Sequence, residues 1–259
     1  MSYELFISLR HLKAKRSQKF ISLNTWISVG GVALGVMALI VVIAVMSGFS
    51  KDLRDKILGT NSHIVVTNIT RTGMEDYEAI IEKVKKAKGV NAAAPFILNQ
   101  VMLTHGGNAM GVVVRGLDPE LEAGVSDLKK NLVQGSLEML GGPAKSTGKP
   151  RQAGIILGKE LARRLGVQRD DVVSMVAPAS RVTPMGLIPK IKLFKVVGFF
   201  ESGMFEYDSN LAFISIYSAQ KFFSMKGKVS GIEIRVEDIE QADQVAAEIQ
   251  QSLDRKSVV

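Results

Sequence analysis

The sequence predicts an α+β protein in which one N-terminal transmembrane helix is followed by a two-subdomain domain outside the membrane. Three observations lead to this fold class. The run Ile21–Phe49 contains 29 residues and no charged side chain. The part after it, about 210 residues long, alternates between strand-like and helix-like periodicity. A strand, helix and strand at its beginning and a strand and helix at its end enclose a β-rich middle, which predicts an α/β sandwich with an insertion.

The apolar run is interpreted as a membrane span. At about 1.5 Å rise per residue, a helix of this length exceeds the roughly 30 Å hydrocarbon core of a bilayer. A secretory signal peptide is the alternative, but its apolar region is only about 7–15 residues long. The basic residues that precede the run outnumber the single acidic Glu4; they are Arg10, Lys13, Lys15, Arg16 and Lys19. Because basic residues near a span favour the cytoplasmic side, residues 1–20 are predicted to be cytoplasmic and residues 21–49 to form the transmembrane helix.

The two ends of the outer part are predicted to form one subdomain. Ser62–Ile69 (SHIVVTNI) has the composition of a strand, and Glu75–Lys88 carries one apolar helical stripe. Near the C-terminus, the strand Gly231–Val236 is followed by a helix from Asp238 to about Leu253. Residues 50–104 and 229–259 are therefore assigned to an α/β sandwich subdomain.

Residues 105–228 are predicted to be a β-rich insertion. Gly106 and Gly107 supply the turn of a hairpin whose apolar-rich arms are Ile97–Thr104 and Ala109–Arg115. Helical pieces are predicted over Leu117–Leu132. Four further strands are predicted, at Ala153–Leu157, Asp171–Val176, Lys192–Phe200 and Leu211–Ile216.

Composition and motifs argue against an enzyme. The chain has no Cys, no Ser lies in a Gly-x-Ser-x-Gly elbow, and the three histidines are far apart in sequence. The segment Gly142–Lys149 is one residue too long for a phosphate loop, and Pro150 follows where Ser or Thr would bind magnesium. No catalytic residue, metal ligand or cofactor is predicted. A solvated hairpin loop is the expected environment of Glu201, Glu206 and Asp208, with weak binding of a cation as the alternative.

Charge also argues against nucleic-acid binding. The formal net charge is +8, but much of it lies in the N-terminal segment, and the outer part carries only a mild basic surplus. The cations of the N-terminal segment are expected to meet membrane lipids or an acidic partner.

The segment Ala177–Pro189 (APASRVTPMGLIP) is the most unusual part of the outer domain. Its three prolines remove backbone donors, so the sequence predicts an irregular, projecting loop. Apolar side chains on such a loop favour a binding surface, since they cannot all reach a core; they are Val182, Met185, Leu187 and Ile188. Arg181, Lys190 and Lys192 could add attraction to an acidic partner. The alternative is a loop folded back on its own domain.

Two segments resemble the permease subunits of lipoprotein-releasing ABC transporters, the LolC/LolE family. One is SLRHLKAKRSQKFISLNTWISVGGVALGVMALIVVIAVMSGF at positions 8–49, and the other is the Ala177–Pro189 loop. The resemblance covers essentially the whole chain. Its most specific motif is TPMG-x-IP, which resembles the hook by which LolC-type subunits recruit a periplasmic lipoprotein carrier. Members have four spans, with an extracytoplasmic domain after the first, so the chain is expected to be truncated before three further helices.

The resemblance assigns roles to particular residues of this chain. It implies a carrier-binding hook made of Arg181, Val182, Pro184, Met185, Gly186, Leu187, Ile188 and Pro189. It implies a basic pad at Lys190 and Lys192, although Val173 stands where a further pad cation is expected. It also implies that the first span lines a lipid cavity through Val42, Val45 and Met46.

The implied partners are a cytoplasmic ABC ATPase, a second permease subunit, a periplasmic carrier of the LolA type, a lipoprotein substrate and membrane lipids, with no nucleic acid. The implied location is the bacterial inner membrane, with the N-terminus cytoplasmic and the main domain periplasmic. Three alternatives stay open: a macrolide-exporter-type permease, the sensing domain of a membrane receptor, and an anchored hydrolase.

Overall fold

The fold is described from a computed structural model. It describes residues 3–13, 19–60, 62–68, 73–141, 152–183, 186–253 and 257–258. The chain separates into two compact units, Met1–Asp55 and Lys56–Val259.

The N-terminal unit is helical. Helix α1 covers Tyr3–Lys13, and helix α2 covers Lys19–Thr60, so that α2 ends within the second unit. Within α2, the 32-residue segment Leu23–Arg54 has the length and composition of a membrane span, and no part of it is buried. The helix therefore continues beyond the predicted end at Phe49, through charged residues such as Lys51. Charge ends the apolar run but does not end the helix, because Lys, Leu and Arg are good helix formers.

The second unit contains ten strands and six further helices among the described residues. The strands are β1 Ile64–Asn68, β2 Val90–His105, β3 Asn108–Leu117, β4 Leu132–Gln134, β5 Gly154–Gly158, β6 Val172–Thr183, β7 Gly186–Phe200, β8 Leu211–Ser215, β9 Gly231–Val236 and β10 Ser257–Val258. The helices are α3 Tyr77–Val84, α4 Pro119–Val125, α5 Lys159–Leu165, α6 Phe205–Asn210, α7 Ile216–Phe223 and α8 Ala242–Ser252.

All ten strands belong to one sheet, whose centre is the long strand β2. The first half of β2 pairs with β9, which continues to β1 and β10. The second half of β2 pairs with β3 on one edge and with β6 on the other. Because β3 pairs with β8, β8 with β5, β5 with β7 and β7 with β6, these strands form a closed ring of pairings. The division of the outer part into residues 50–104 plus 229–259 and residues 105–228 stays a prediction.

Two apolar clusters stabilise this unit. The larger one joins the core face of the sheet to α3, α5, α7 and α8, and includes the buried side chains of Leu103, Phe194 and Phe222. The smaller one includes Leu137 and Leu140 of the short 3₁₀ helix Leu137–Leu140, together with Leu117 and Phe213. The α+β class with one N-terminal apolar helix is thus confirmed. Helices α5, α6 and α7 were not predicted from the sequence, because they are only six to eight residues long and give little periodic signal.

The prediction of an irregular loop over Ala177–Pro189 is wrong for the backbone. The strands β6 and β7 run through most of this segment as a hairpin, which is paired as far as Thr183 and Gly186. The segment Gly142–Lys149, compared above with a phosphate loop, lies outside the described residues.

Candidate functional site

The β6–β7 hairpin is longer than the sheet that supports it. Strand β6 pairs with β2 only from Ser174 to Val176, opposite Thr104 to Met102. From Ala177 to Thr183 it pairs, among the described residues, with β7 alone. The outer part of the hairpin is therefore a two-stranded extension.

The prolines of the extension lie where the ladder is interrupted. Ala177 pairs with Lys190 and Arg181 pairs with Ile188, so three residues of β6 stand opposite one residue of β7. Pro178 and Pro189 both fall in this interruption, where a missing N–H breaks no ladder bond. Among the described residues of the hairpin, proline is therefore absent from the regularly paired positions, as its missing N–H requires, and the two strands resume pairing beyond the interruption.

The structure describes the predicted hook residues to different extents. Gly186 pairs with Thr183, and Pro189 is exposed. Pro184 and Met185 lie outside the described residues. For Arg181, Val182, Leu187 and Ile188 the structure describes only the backbone, whose pairing places the first two opposite the last two. The role of the hook residues stays a prediction.

An apolar face of the sheet is open to solvent at the root of the hairpin. Met102, Val176 and Ile191 are direct cross-strand neighbours and therefore share one face. Ile191 is 61% exposed, and Leu193, two residues further along β7, is 54% exposed. A groove of about 680 Å³ lies on this face, with Met102, Val176 and Pro189 among its lining residues. Apolar side chains at this exposure leave a surface that a partner could cover.

The two lysines of the predicted pad lie on the opposite face of the same strand. Lys190 Nζ donates to the carbonyl oxygen of Lys221 and to Ser224 Oγ, both at 3.1 Å, and lies 5.6 Å from the centre of the Phe222 ring. These partners form the C-terminal end of α7. The ammonium group of Lys190 is therefore engaged within the domain.

Among the residues that the structure describes, the ammonium group of Lys192 has no such acceptor and lies over an aromatic ring instead. Its Nζ is 4.9 Å from the centre of the Phe194 ring. Burial, together with the ammonium groups of Lys221 and Lys190, lowers the pKa of Lys192. Val173, at the position where a further pad cation is expected, is fully buried opposite Phe194, so that a charged side chain there would enter the core.

Sequence reasoning missed a buried charge cluster in the same sheet. Arg115 of β3 donates through Nη2 to Glu122 Oε1 of α4 at 2.9 Å and to Glu233 Oε2 of β9. The three residues are at most 8% exposed. Burial raises the pKa of Glu233, and the repulsion of Glu122 adds to this, although the guanidinium of Arg115 opposes it. The signal was present as charged residues inside apolar strands, Arg115 in VVVRGL and Glu233 in GIEIRV.

The remaining candidate residues lie on α2 or make local polar contacts. Val42, Val45 and Met46 are each between 58% and 65% exposed on α2, and their role in a lipid cavity stays a prediction. Glu201 pairs with Lys159 at 2.8 Å, and Asp208 accepts hydrogen bonds from the backbone N–H and the hydroxyl of Ser202. Among the described residues no group of three or more His, Cys, Asp or Glu side chains could hold a metal ion.

An exposed apolar helix with the length and composition of a membrane span, followed by an α+β domain, is typical of a membrane-anchored module. Residues 25–252 match the family described as the MacB-like periplasmic core domain. The chain belongs to this family. This family and the N-terminal apolar helix support an inner-membrane protein with a periplasmic domain.

Curated relatives give a closer comparison. The chain is 34% identical over 257 residues, or 99% of its length, to the "Lipoprotein-releasing system transmembrane protein LolC" of Neisseria meningitidis serogroup B. It is 37% identical over 243 residues, or 94% of its length, to the protein of the same name from Xylella fastidiosa strain Temecula1. These matches confirm the resemblance to the LolC/LolE family. The chain spans 60% and 56% of the length of these two relatives.

Solved structures of similar fold include the periplasmic region of MacB from Actinobacillus actinomycetemcomitans. That match has a TM-score of 0.44 and 10% sequence identity, and it covers 77% of this chain and 87% of that one.

Proposed function

We propose that the chain is part of a permease subunit of an ABC transporter that extracts lipoproteins from the outer leaflet of the inner membrane and hands them to a soluble periplasmic carrier. The names of the relatives with 34% and 37% identity support this proposal, as does the family of the outer domain. ATP hydrolysis is assigned to a cytoplasmic ABC ATPase, and a second permease subunit, a sibling or a second copy, completes the membrane part.

In this proposal α2 crosses the membrane with its N-terminus in the cytoplasm and delivers the domain to the periplasm. The basic residues of the first 20 positions support this orientation. Val42, Val45 and Met46 would face the acyl chains of the substrate, and their exposure on α2 is compatible with that role.

The energetic problem of the reaction explains why a carrier is needed. Each buried CH₂ group of an acyl chain contributes about 0.8 kcal/mol to membrane attachment. A lipoprotein with several acyl chains therefore does not leave the bilayer unaided, and its chains need an apolar site as soon as they leave.

The observation that carries the proposal is the two-stranded extension of the β6–β7 hairpin beyond the sheet. In this extension Arg181 to Thr183 pair, among the described residues, only with Gly186 to Ile188, and the sequence from Thr183 to Pro189 carries the TPMG-x-IP motif. Apolar side chains on a projecting hairpin suit an apolar pocket of the carrier, with Met185 as the adaptable anchor. Lys192 and Arg181 would attract an acidic rim around that pocket.

The experiment measures binding of a LolA-type carrier to the full chain in detergent by surface plasmon resonance. Met185→Asp is expected to weaken binding by about a hundredfold or more, because it places an unpaired carboxylate in an apolar pocket. Met185→Leu keeps an apolar side chain and should bind within about threefold of the wild type. Met139→Asp changes a methionine that is 41% exposed outside the hairpin and should have no effect.

Circular dichroism checks that each variant is folded. Undiminished carrier binding by Met185→Asp would refute the role of the hairpin. Failure of the wild-type chain to bind the carrier would refute the proposed function and favour the macrolide-exporter type of permease, which docks a different partner.

A further inference from the structure

The contacts of Lys190 suggest a role different from that of its neighbour Lys192. Both were predicted to form a pad that attracts the carrier. The ammonium group of Lys190, however, already has two oxygen acceptors, the carbonyl of Lys221 and the hydroxyl of Ser224, each at 3.1 Å. An ammonium group held in this way is a poor direct contact for a partner, because binding would have to replace bonds that already exist.

The acceptors of Lys190 lie at the C-terminal end of helix α7. Helix α7 ends at Phe223, and Ser224 follows it in the left-handed conformation, with a φ of 58°. The last carbonyl groups of a helix lack partners within the helix and carry partial negative charge, so a cation bound there is stabilised. Lys190 supplies that cation from a different element of the fold.

On the strand side, Lys190 stands at the root of the projecting hairpin. Its pair with Ala177 is the last one before the interruption of the ladder, and the extension begins directly beyond it. Beyond this point the described part of the extension pairs only with itself. The bond from Lys190 to α7 therefore fixes the base from which the extension leaves the sheet.

We propose that Lys190 is a positioning residue, which locks the root of the β6–β7 hairpin to the C-terminal end of α7 and so presents the hairpin in a binding-competent direction. This inference rests on the proposed function only in naming the carrier as the ligand of the hairpin. Without the lock, the hairpin samples more directions and the competent fraction falls. Apparent affinity falls by the same factor.

The first test needs no carrier. The chain has no Cys, so a pair of spin labels can be placed at introduced cysteines, Thr183→Cys on the hairpin and Tyr217→Cys on α7. Electron paramagnetic resonance then measures the distance distribution in the full chain. Lys190→Met and Ser224→Ala are both expected to broaden it, whereas Lys190→Arg should retain a narrow distribution. A distance distribution of unchanged width in both Lys190→Met and Ser224→Ala would overturn the proposal, independently of any result on carrier binding.

The second test separates positioning from direct contact. Lys190→Met and Ser224→Ala should each weaken carrier binding, by up to about tenfold, and the double variant should be no weaker than Lys190→Met alone. The dependence of affinity on salt should stay that of the wild type for both. Lys192→Met is the comparison, since loss of a directly attracting charge should reduce the salt dependence.

A matched control is available on the same strand. Lys195 pairs with Asp170 at 2.7 Å, away from α7, and Lys195→Met should leave both the distance distribution and the affinity unchanged. A reduced salt dependence in Lys190→Met, together with wild-type behaviour of Ser224→Ala, would show that Lys190 contacts the carrier directly and would overturn the proposal. Absence of carrier binding by the wild type would instead refute the proposed function and leave the resonance test valid.

Discussion

The buried charge cluster around Arg115 allows a stability prediction to be worked out from the structure. Arg115 is 7% exposed and is the shared donor to Glu122, 1% exposed, and Glu233, 8% exposed. Arg115→Met has a similar length but no charge, so it leaves two carboxylates buried without a counter-ion. Removing one partner of a buried ion pair costs about 3–5 kcal/mol, and the second carboxylate places this variant at the upper end of that range. For a domain of this size a loss of about 5 kcal/mol corresponds to a fall in melting temperature of roughly 10–20 °C.

The assay is thermal unfolding of the full chain in detergent at pH 7.5, followed by circular dichroism. Two further variants identify the cause. In the triple variant Arg115→Met, Glu122→Gln and Glu233→Gln no charge remains in the cluster, and most of the lost stability should return. Arg235→Met breaks a more exposed pair with Asp127, at 3.3 Å, and should cost less than about 1 kcal/mol. A loss below about 1 kcal/mol in Arg115→Met, or a triple variant no more stable than the single one, would refute the reasoning.

Three other outcomes are expected. Glu233→Gln should flatten the dependence of the unfolding free energy on pH. The pKa of Glu233 is raised from 4.5, so the contribution of Glu233 to the unfolding free energy is full below that value and is lost as the pH rises through the raised pKa. Urea titrations between pH 4.5 and 8 measure this dependence, and a slope equal to that of the wild type would contradict the prediction. Gly158→Ala should destabilise the domain by about 2 kcal/mol or more, because the added Cβ would overlap the backbone carbonyl of Asp208; a change below about 0.5 kcal/mol would disprove the overlap. Phe194→Ala should lower the unfolding free energy by about 3–5 kcal/mol, because Phe194 is fully buried. Leu193→Ser should lower it by about 0.5 kcal/mol or less, because Leu193 is 54% exposed. Equal losses would show that the two faces of β7 are wrongly assigned.

Periodicity and charge were sufficient to predict the elements that have a strong local signal. The apolar run, the β2–β3 hairpin around Gly106 and Gly107, and the strand Gly231–Val236 all appear in the structure. The end of α2 could not be predicted from hydropathy, because Lys51 and Arg54 leave the apolar pattern without opposing helix formation. Local patterns thus gave the order of the elements but not the limits of each one.

Residues whose roles depend on distant partners could not be assigned from the sequence. Arg115 and Glu233 are 118 positions apart and meet only because β3 and β9 pair with the two edges of β2. Lys190 was recognised by its charge, but its acceptors lie 31 and 34 positions further along the chain. A charge in a sequence predicts that a partner is needed. Strand register decides which partner it is.

The prolines of the hairpin have a structural explanation that does not depend on any carrier. A two-stranded extension has two open edges, and an open edge can pair with a strand of another molecule. Pro178 and Pro189 lack the N–H group that such pairing would use, and both lie in the interruption of the ladder, where they cost no bond between β6 and β7. Interruptions of this kind generally bend a strand and increase its twist, which further disfavours a flat partner strand. The same residues that made the sequence predict an irregular loop therefore allow this hairpin to project from the sheet with less risk of pairing with other chains.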